Sequence, residues 1–128
     1  MFSHVMVGAD DVEAAKAFYD STLGVLGIEP GFLDDKGRVF YRTKAGVFGV
    51  SKPIDGEAAS HANGGTIGFA AESTELCDAW HAAGLENGGV AIEDPPGVRE
   101  GSGMKMYLAY LRDPAGNKIC TLHRMPSE

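Results

Sequence analysis

The stretch HVMVGADDVEAAKAFY, residues 4–19, decides the fold because its pattern returns in TIGFAAESTELCDAWH, residues 66–81. In each copy, apolar residues first alternate with other residues, as in a strand with one buried face. Apolar residues then recur at a spacing of three and four, which is typical of an amphipathic helix. The chain therefore contains one strand–helix unit twice, at an offset of 66 − 4 = 62 residues.

Both helical segments carry start and stop signals. Asp11 and Ser73 precede the helical patterns and are N-cap candidates, because their side chains can accept hydrogen bonds from free backbone N–H groups. Gly27 and Gly84 are expected to end the two helices, since glycine is the usual residue just past a helix C-terminus.

Three strands are predicted after each helix, because short apolar runs alternate with breaks that contain glycine. The breaks are DDKGR and KAG in the first copy and PPGVREGSG and DPAGN in the second. The predicted fold class is α+β, with two βαβββ modules and eight strands in one compact domain. The predicted boundaries are 1–56 for the first module, 57–65 for a linker and 66–124 for the second module.

The turn between the last two strands of each module sets which side chains share a face of the sheet. If Asp113 and Asn117 close a three-residue loop in DPAGN, Tyr110 lies opposite Cys120. The same interpretation of KAG places Phe40 opposite Val50. We therefore expect these four side chains to lie on equivalent faces of the two modules.

Composition excludes several classes of function. Eleven basic and eighteen acidic residues give a net charge of −7 without a basic cluster, which is unlike a nucleic-acid binder. No apolar run approaches the roughly 20 residues that cross a bilayer, and no signal-peptide pattern opens the chain. Two cysteines are too few for a disulfide framework, which suits a reducing compartment. We expect a cytoplasmic protein that binds neither nucleic acid nor membrane, and its acidity would favour a cationic ligand.

Three segments of the chain resemble the vicinal oxygen chelate superfamily, which includes glyoxalases, bleomycin-resistance proteins, fosfomycin-resistance enzymes and extradiol dioxygenases. They are the opening FSHVMVGADDVEAAKAFYDSTLGVLG, the linker DGEAASHANGG and the closing YLRDPAGNKI. The resemblance covers essentially the whole chain and implies a glyoxalase-like fold, in which the two modules form cupped mixed sheets around a cleft. In the enzymatic members, that cleft holds a divalent metal bound by the first and last strands of each module.

The resemblance maps these four metal-ligand positions onto His4, Val50, Thr66 and Cys120. Relatives usually carry histidine at position 66 and glutamate at position 120, so this chain departs from the pattern at both. A catalytic zinc, manganese or iron ion needs about three imidazole, carboxylate or thiolate donors. The resemblance therefore implies an eroded metal site, with His4 and Cys120 as the remaining candidate ligands.

A small-molecule ligand is the partner that the resemblance implies, and the matching tyrosine of fosfomycin-type relatives, here Tyr110, contacts substrate. The residues expected to line the ligand cleft are His4, Phe40, Val50, Thr66, Tyr110 and Cys120. His4, Cys120 and Tyr110 each have an alternative without function, which is a hydrogen-bonded interior histidine, a buried inert thiol and an aromatic core residue, respectively.

Two classes of function follow. The first is a glyoxalase- or bleomycin-resistance-like protein that binds a small molecule in a cleft whose metal site has eroded. The second is a metal-dependent lyase, isomerase or dioxygenase that chelates neighbouring oxygens of its substrate. A structural or regulatory partner protein is the weaker third hypothesis. The resemblance also implies a homodimer, because family members commonly complete their clefts with a second chain.

Overall fold

The computed structural model describes residues 1–126, and each half of the chain forms a strand, a helix and then further strands. The first module contains β1 (His4–Gly8), α1 (Val12–Val25), β2 (Phe32–Leu33), β3 (Val39–Thr43) and β4 (Gly46–Ser51). The second contains β5 (Ile67–Ala70), α2 (Thr74–Glu86), β6 (Val90–Ala91), β7 (Gly97–Gly101), β8 (Met104–Arg112) and β9 (Lys118–Arg124).

Each module forms one mixed sheet. The first sheet has the strand order β1-β4-β3-β2, and the second has β5-β9-β8-β6 with β7 also paired to β8. In both sheets the first strand runs parallel to the last, and the remaining pairs are antiparallel. The predicted α+β class with two βαβββ modules is therefore confirmed.

The prediction of a loop over PPGVREGSG is wrong, because residues 97–101 form β7 and pair antiparallel with β8. Ser102 and Gly103 connect the two strands with φ of 51° and 74°. Two successive positive φ values are what a two-residue type I′ hairpin turn requires. Within residues 1–126 the protein thus has nine strands where the sequence predicts eight.

The two N-caps are confirmed. The side chain of Asp11 accepts a hydrogen bond from the backbone N–H of Ala14 at 3.0 Å, and Ser73 accepts one from Leu76 at 3.2 Å. Each cap satisfies a backbone donor that the first helical turn leaves without a partner.

One of the two predicted helix stops is wrong. Gly27 follows α1 with a φ of 87°, in the left-handed region that glycine adopts at little cost. Gly84, however, lies inside α2, which continues to Glu86. Its missing side chain serves helix packing instead, since a Cβ there would meet Leu111 and stand 3.3 Å from the Phe18 ring.

A single core joins the two modules. Phe18 and Tyr19 of α1 and Trp80 of α2 are fully buried within it. The rings of Phe48 on β4 and Phe69 on β5 meet edge to face across the modules, with centroids 5.2 Å apart. The first module therefore contributes to the same hydrophobic cluster as the second.

A buried carboxylate in the DPAGN turn also ties the modules together. Asp113 accepts hydrogen bonds from the phenol of Tyr19 at 2.6 Å and from the side-chain amide of Asn117 at 2.9 Å. It also accepts hydrogen bonds from the backbone N–H groups of Ala115 and Asn117, both at 2.9 Å. The Asn117 amide in turn donates to the carbonyl of Gly8 in the first module at 3.0 Å.

In the described part of the chain, no helix is both long enough and apolar enough to cross a membrane.

Candidate functional site

Each sheet has one face toward the helices and the core, and an open face that points away from them. On the first sheet the open face carries Met6 of β1, Gly49 of β4 and Phe40 of β3 in one cross-strand row. His4 and Arg42 belong to the neighbouring row of the same face, because side chains alternate along a strand. We call these five residues the first open face.

Val50 does not lie on this face. The strands β3 and β4 pair Phe40 with Gly49 and Val39 with Val50, so the predicted pairing of Phe40 with Val50 is wrong by one residue. The turn between them has two residues rather than three, because Thr43 pairs with Gly46. Val50 is fully buried in the core. Gly49 takes the place opposite Phe40 that was expected for Val50.

Gly49 is covered by a neighbouring side chain. A Cβ at this position would meet the thioether of Met6, whose Cε would stand 2.8 Å away, and would lie 3.1 Å from Cδ1 of Phe40. Phe40 is itself flanked by Arg38 and Arg42, whose guanidinium carbons lie 5.3 and 5.0 Å from the ring centroid. A metal-binding side chain at position 49 would therefore have to displace Met6.

The second open face consists of Gly68, Tyr110, Arg112, Lys118 and Cys120. The predicted hairpin register is confirmed here, since Tyr110 pairs with Cys120 and Arg112 with Lys118. Gly68 of β5 pairs with Cys120 from the other side.

Cys120 is a poor metal ligand as it stands. The residue is only 6% exposed, and burial raises the pKa of its thiol to about 11, although the charge of Lys118 acts in the opposite direction. Zinc binds the thiolate, which is scarce at neutral pH for such a thiol in the absence of metal. The side chain also lies close to Gly68, where a Cβ would stand 3.2 Å from Sγ.

The two open faces are built alike in their central cross-strand pairs. Met6 pairs with Gly49 in the first module, and Gly68 pairs with Cys120 in the second. Each pair joins one glycine to one sulfur-containing side chain, in opposite order. The sulfur atom lies close to the glycine in both cases. Because glycine has no side chain, neither module offers two donors from its central pair.

An aromatic residue and an arginine repeat beside these pairs. Phe40 and Arg42 on β3 correspond to Tyr110 and Arg112 on β8 at a constant offset, since 110 − 40 = 70 and 112 − 42 = 70. Burial first, and then the nearby Cys120, raise the pKa of the Tyr110 phenol, so it is neutral at physiological pH. The two arginines are absent from the predicted site. The matching segments FYR and YLR, each with an aromatic residue two positions before an arginine, are the sequence signal that indicates them.

His4 is the first residue of β1 and Thr66 directly precedes β5, and both are exposed. The Nδ1 atom of His4 lies 2.7 Å from the hydroxyl of Ser3, and His4 lines a pocket of about 220 Å³ together with Gly68. Thr66 instead lines a pocket of about 160 Å³ together with Arg112 and Lys118.

The donor set does not fit a catalytic metal. Across residues 1–126 there is no group of three or more His, Cys, Asp or Glu side chains that could hold an ion together. His4 and Cys120 supply at most two donors, whereas Gly49 has no side chain and Thr66 offers a neutral hydroxyl.

Comparison with known proteins agrees with this architecture. A glyoxalase/bleomycin resistance protein from Albidiferax ferrireducens shares 61% sequence identity, with a TM-score of 0.94 over 97% of this chain and 99% of that chain. Lactoylglutathione lyase from Agrobacterium tumefaciens shares the fold at 23% identity, with a TM-score of 0.66 over 96% of this chain and 92% of that chain. A putative glyoxalase from Bacillus halodurans does so at 22% identity, with a TM-score of 0.75 over 96% and 95% of the two chains.

No curated protein gives a significant match to the chain. Residues 1–121, however, match the family model of the Glyoxalase/Bleomycin resistance protein/Dioxygenase superfamily. The chain therefore belongs to the Glyoxalase/Bleomycin resistance protein/Dioxygenase superfamily.

Proposed function

We propose that the protein binds a small molecule in a cleft lined by its two open faces, and that this binding needs no metal. The observation that carries the proposal is the repeated row of a glycine, an adjacent sulfur side chain and an aromatic ring. This row is Met6, Gly49 and Phe40 in the first module. Its counterpart in the second module is formed by residues 68, 110 and 120.

Such a row suits an apolar, flat part of a ligand. Sulfur side chains are polarisable and adapt to the shape of what they contact, and aromatic rings offer a large rigid surface. Phe40 and Tyr110 are both partly exposed, so their rings remain available for contact. Arg42 beside Phe40 and Lys118 beside Tyr110 add cationic groups at the edge of each apolar surface.

The alternative is a metal-dependent lyase, isomerase or dioxygenase, and it requires donors that these rows lack. A third protein ligand would have to come from outside positions 4, 49, 66 and 120, because Gly49 and Thr66 contribute neither imidazole, carboxylate nor thiolate. The proposed function therefore contains no reaction step through a metal.

We also propose that a second copy of the chain covers part of the first sheet. Phe32 and Leu33 are 59% and 52% exposed, although they are large and apolar. Apolar surface of this kind is commonly buried at interfaces. Sedimentation velocity at tens of micromolar protein should show a dimer, and a 13.5 kDa species alone would contradict this part of the proposal.

Binding can be measured with N-phenyl-1-naphthylamine, a neutral aromatic dye whose fluorescence rises in apolar sites. We expect saturable binding, and we expect Tyr110→Leu to weaken it by about two- to twelvefold, since an aromatic contact contributes about 0.5–1.5 kcal/mol.

The matched control is Tyr107→Leu. Tyr107 lies on the same strand, but its side chain is on the opposite face and its phenol donates to Asp78 at 2.7 Å. Dye affinity should be unchanged in this variant. Absence of saturable binding, or an equal loss in the two tyrosine variants, would refute the cleft assignment.

A further inference from the structure

We propose that the pocket lined by Thr66, Arg112 and Lys118 is an anion subsite, which takes the carboxylate or phosphate group of a ligand held in the cleft. This inference rests on the proposed small-molecule binding and names the chemical class of the ligand. The pocket has a volume of about 160 Å³, and the chain segment 62–65 forms its remaining wall. We call it the Thr66 pocket.

Arg112 is held in place with part of its donor capacity unused. Its Nη1 donates to the carbonyl of Gly116 at 2.7 Å, which fixes the guanidinium beside the DPAGN turn. In the described part of the chain Arg112 has no carboxylate partner, since the three ion pairs involve other basic residues. A guanidinium has five N–H donors in a planar fork that matches carboxylate and phosphate oxygens.

Lys118 is the direct cross-strand neighbour of Arg112, so two cations stand opposite each other. Like charges at such a position are destabilising unless something neutralises them. One carboxylate, that of Glu93, pairs with Lys118. The pair of cations thus keeps an excess of positive charge, although the chain as a whole carries a net charge of −7.

The opposite wall consists largely of main chain. Gly64 and Gly65 have no side chains, so the atoms they present to the pocket are backbone atoms. Ala62 has a φ of 47° and Glu93 a φ of 58°, and residues other than glycine rarely adopt this left-handed region. Such local strain is concentrated at functional sites in proteins. Here it occurs at Ala62, which lines the pocket, and at Glu93, which pairs with Lys118.

The Thr66 pocket adjoins the aromatic row of the second module. The ammonium of Lys118 lies 5.1 Å from the centroid of the Tyr110 ring. An anionic group held by Lys118 and Arg112 would therefore place the body of the same ligand against Tyr110. The acidity of the chain favours a cationic ligand, whereas the charges at this pocket favour an anionic one, and the local charges decide because they are nearest.

The probes are inorganic phosphate and acetate, titrated at constant ionic strength kept with chloride and followed by the backbone amide signals of residues 62–66, 112 and 118. We expect saturable shifts with at least one anion. Saturation by phosphate alone would assign a phosphate-bearing ligand, and saturation by acetate alone a carboxylate. Absence of saturable shifts with both anions would overturn the subsite.

Two substitutions should change the affinity in opposite directions. Lys118→Gln should weaken anion binding by about tenfold, because it removes a charge-assisted hydrogen bond. Glu93→Gln should strengthen binding by a few-fold, because the carboxylate that competes for Lys118 is gone. Weaker binding in Glu93→Gln, with a well-dispersed amide spectrum, would contradict the proposal.

Lys105→Gln is the matched control. Lys105 belongs to β8, like Arg112, but lies at the far end of the strand, opposite Glu100 of β7. Lys105→Gln changes the net charge by the same amount as Lys118→Gln. Its anion affinity should stay within about twofold of the parent, and an equal loss in Lys105→Gln and Lys118→Gln would show only a general charge effect. Dye binding that persists without anion binding would refute the subsite alone, whereas loss of both would refute the proposed function as well.

Discussion

Asp113→Ala should lower the free energy of unfolding by about 4 kcal/mol, the largest effect that we expect from a single substitution outside the apolar core. Asp113 is only 2% exposed, and its carboxylate accepts four hydrogen bonds. Alanine would leave the phenol of Tyr19 and the amide of Asn117 without this acceptor in a buried place. Buried polar groups without partners each cost about 1–3 kcal/mol.

Urea unfolding followed by circular dichroism measures the effect, and Asp55→Ala is the matched control. The Asp55 carboxylate also accepts a hydrogen bond, from the backbone N–H of Glu57 at 3.0 Å, but it lies in an exposed turn. We expect the control to change the free energy of unfolding by about 0.5 kcal/mol or less. A loss below about 1 kcal/mol for Asp113→Ala would mean that this carboxylate does not tie the modules together.

Tyr19→Phe removes only one of the four hydrogen bonds that the Asp113 carboxylate accepts. Burial first, and then the charge of Asp113, hold the pKa of Tyr19 well above its usual value, so the phenol stays protonated and donates. We expect this variant to lose about 1–3 kcal/mol, less than Asp113→Ala, because the other three donors keep their acceptor.

Gly84→Ala and Gly24→Ala should have opposite signs, although both replace a glycine inside a helix. At Gly84 a Cβ would meet Leu111 and lie 3.3 Å from Phe18 and 3.4 Å from Thr22. All three neighbours are buried, so they have little room to move. We expect a loss of about 1–2 kcal/mol, since overpacking outweighs the better helix propensity of alanine.

At Gly24 no atom would lie within 4 Å of the new Cβ. The substitution should therefore raise the free energy of unfolding by about 0.5–1 kcal/mol, through helix propensity and a less flexible unfolded chain. Denaturant unfolding of the two variants side by side tests the helix packing. Equal stabilisation by both would show that α1 and α2 do not approach as closely as described.

The fold can be predicted because its signals are local and occur twice. The strand–helix pattern of residues 4–19 and 66–81 indicates both modules, and the caps Asp11 and Ser73 mark both helix starts. The strand β7 escapes prediction because glycine, proline and charged residues dominate its segment. Its pairing depends on the Ser102–Gly103 turn, and the positive φ values of this turn do not follow from the residue composition of the segment.

The hairpin register is predicted correctly in the second module and is wrong by one residue in the first. DPAGN forms the expected three-residue loop, so Tyr110 and Cys120 pair as predicted. The sequence TKAGV is compatible with a loop of two or three residues, and the shorter loop places Val50 in the core and Gly49 on the open face. A shift of one residue exchanges the two faces of a strand, so such an error reverses the assignment.

Gly84 shows a third limit of sequence-based prediction. Glycine near the end of a helical pattern is usually a stop signal, and Gly27 has that role here. At Gly84 the reason for glycine is the approach of Leu111 and Phe18, which belong to other elements. Contacts of this kind exist only once the modules have packed together.

The central claim is that the cleft binds its ligand without a metal, and the dye titration in the presence of excess chelator tests it most directly. N-phenyl-1-naphthylamine should bind with the same affinity, within about twofold, after chelator treatment and after addition of one equivalent of zinc or manganese. Binding that disappears with chelator and returns with zinc or manganese would contradict this claim, and would show that His4, Cys120 and further donors form a working metal site.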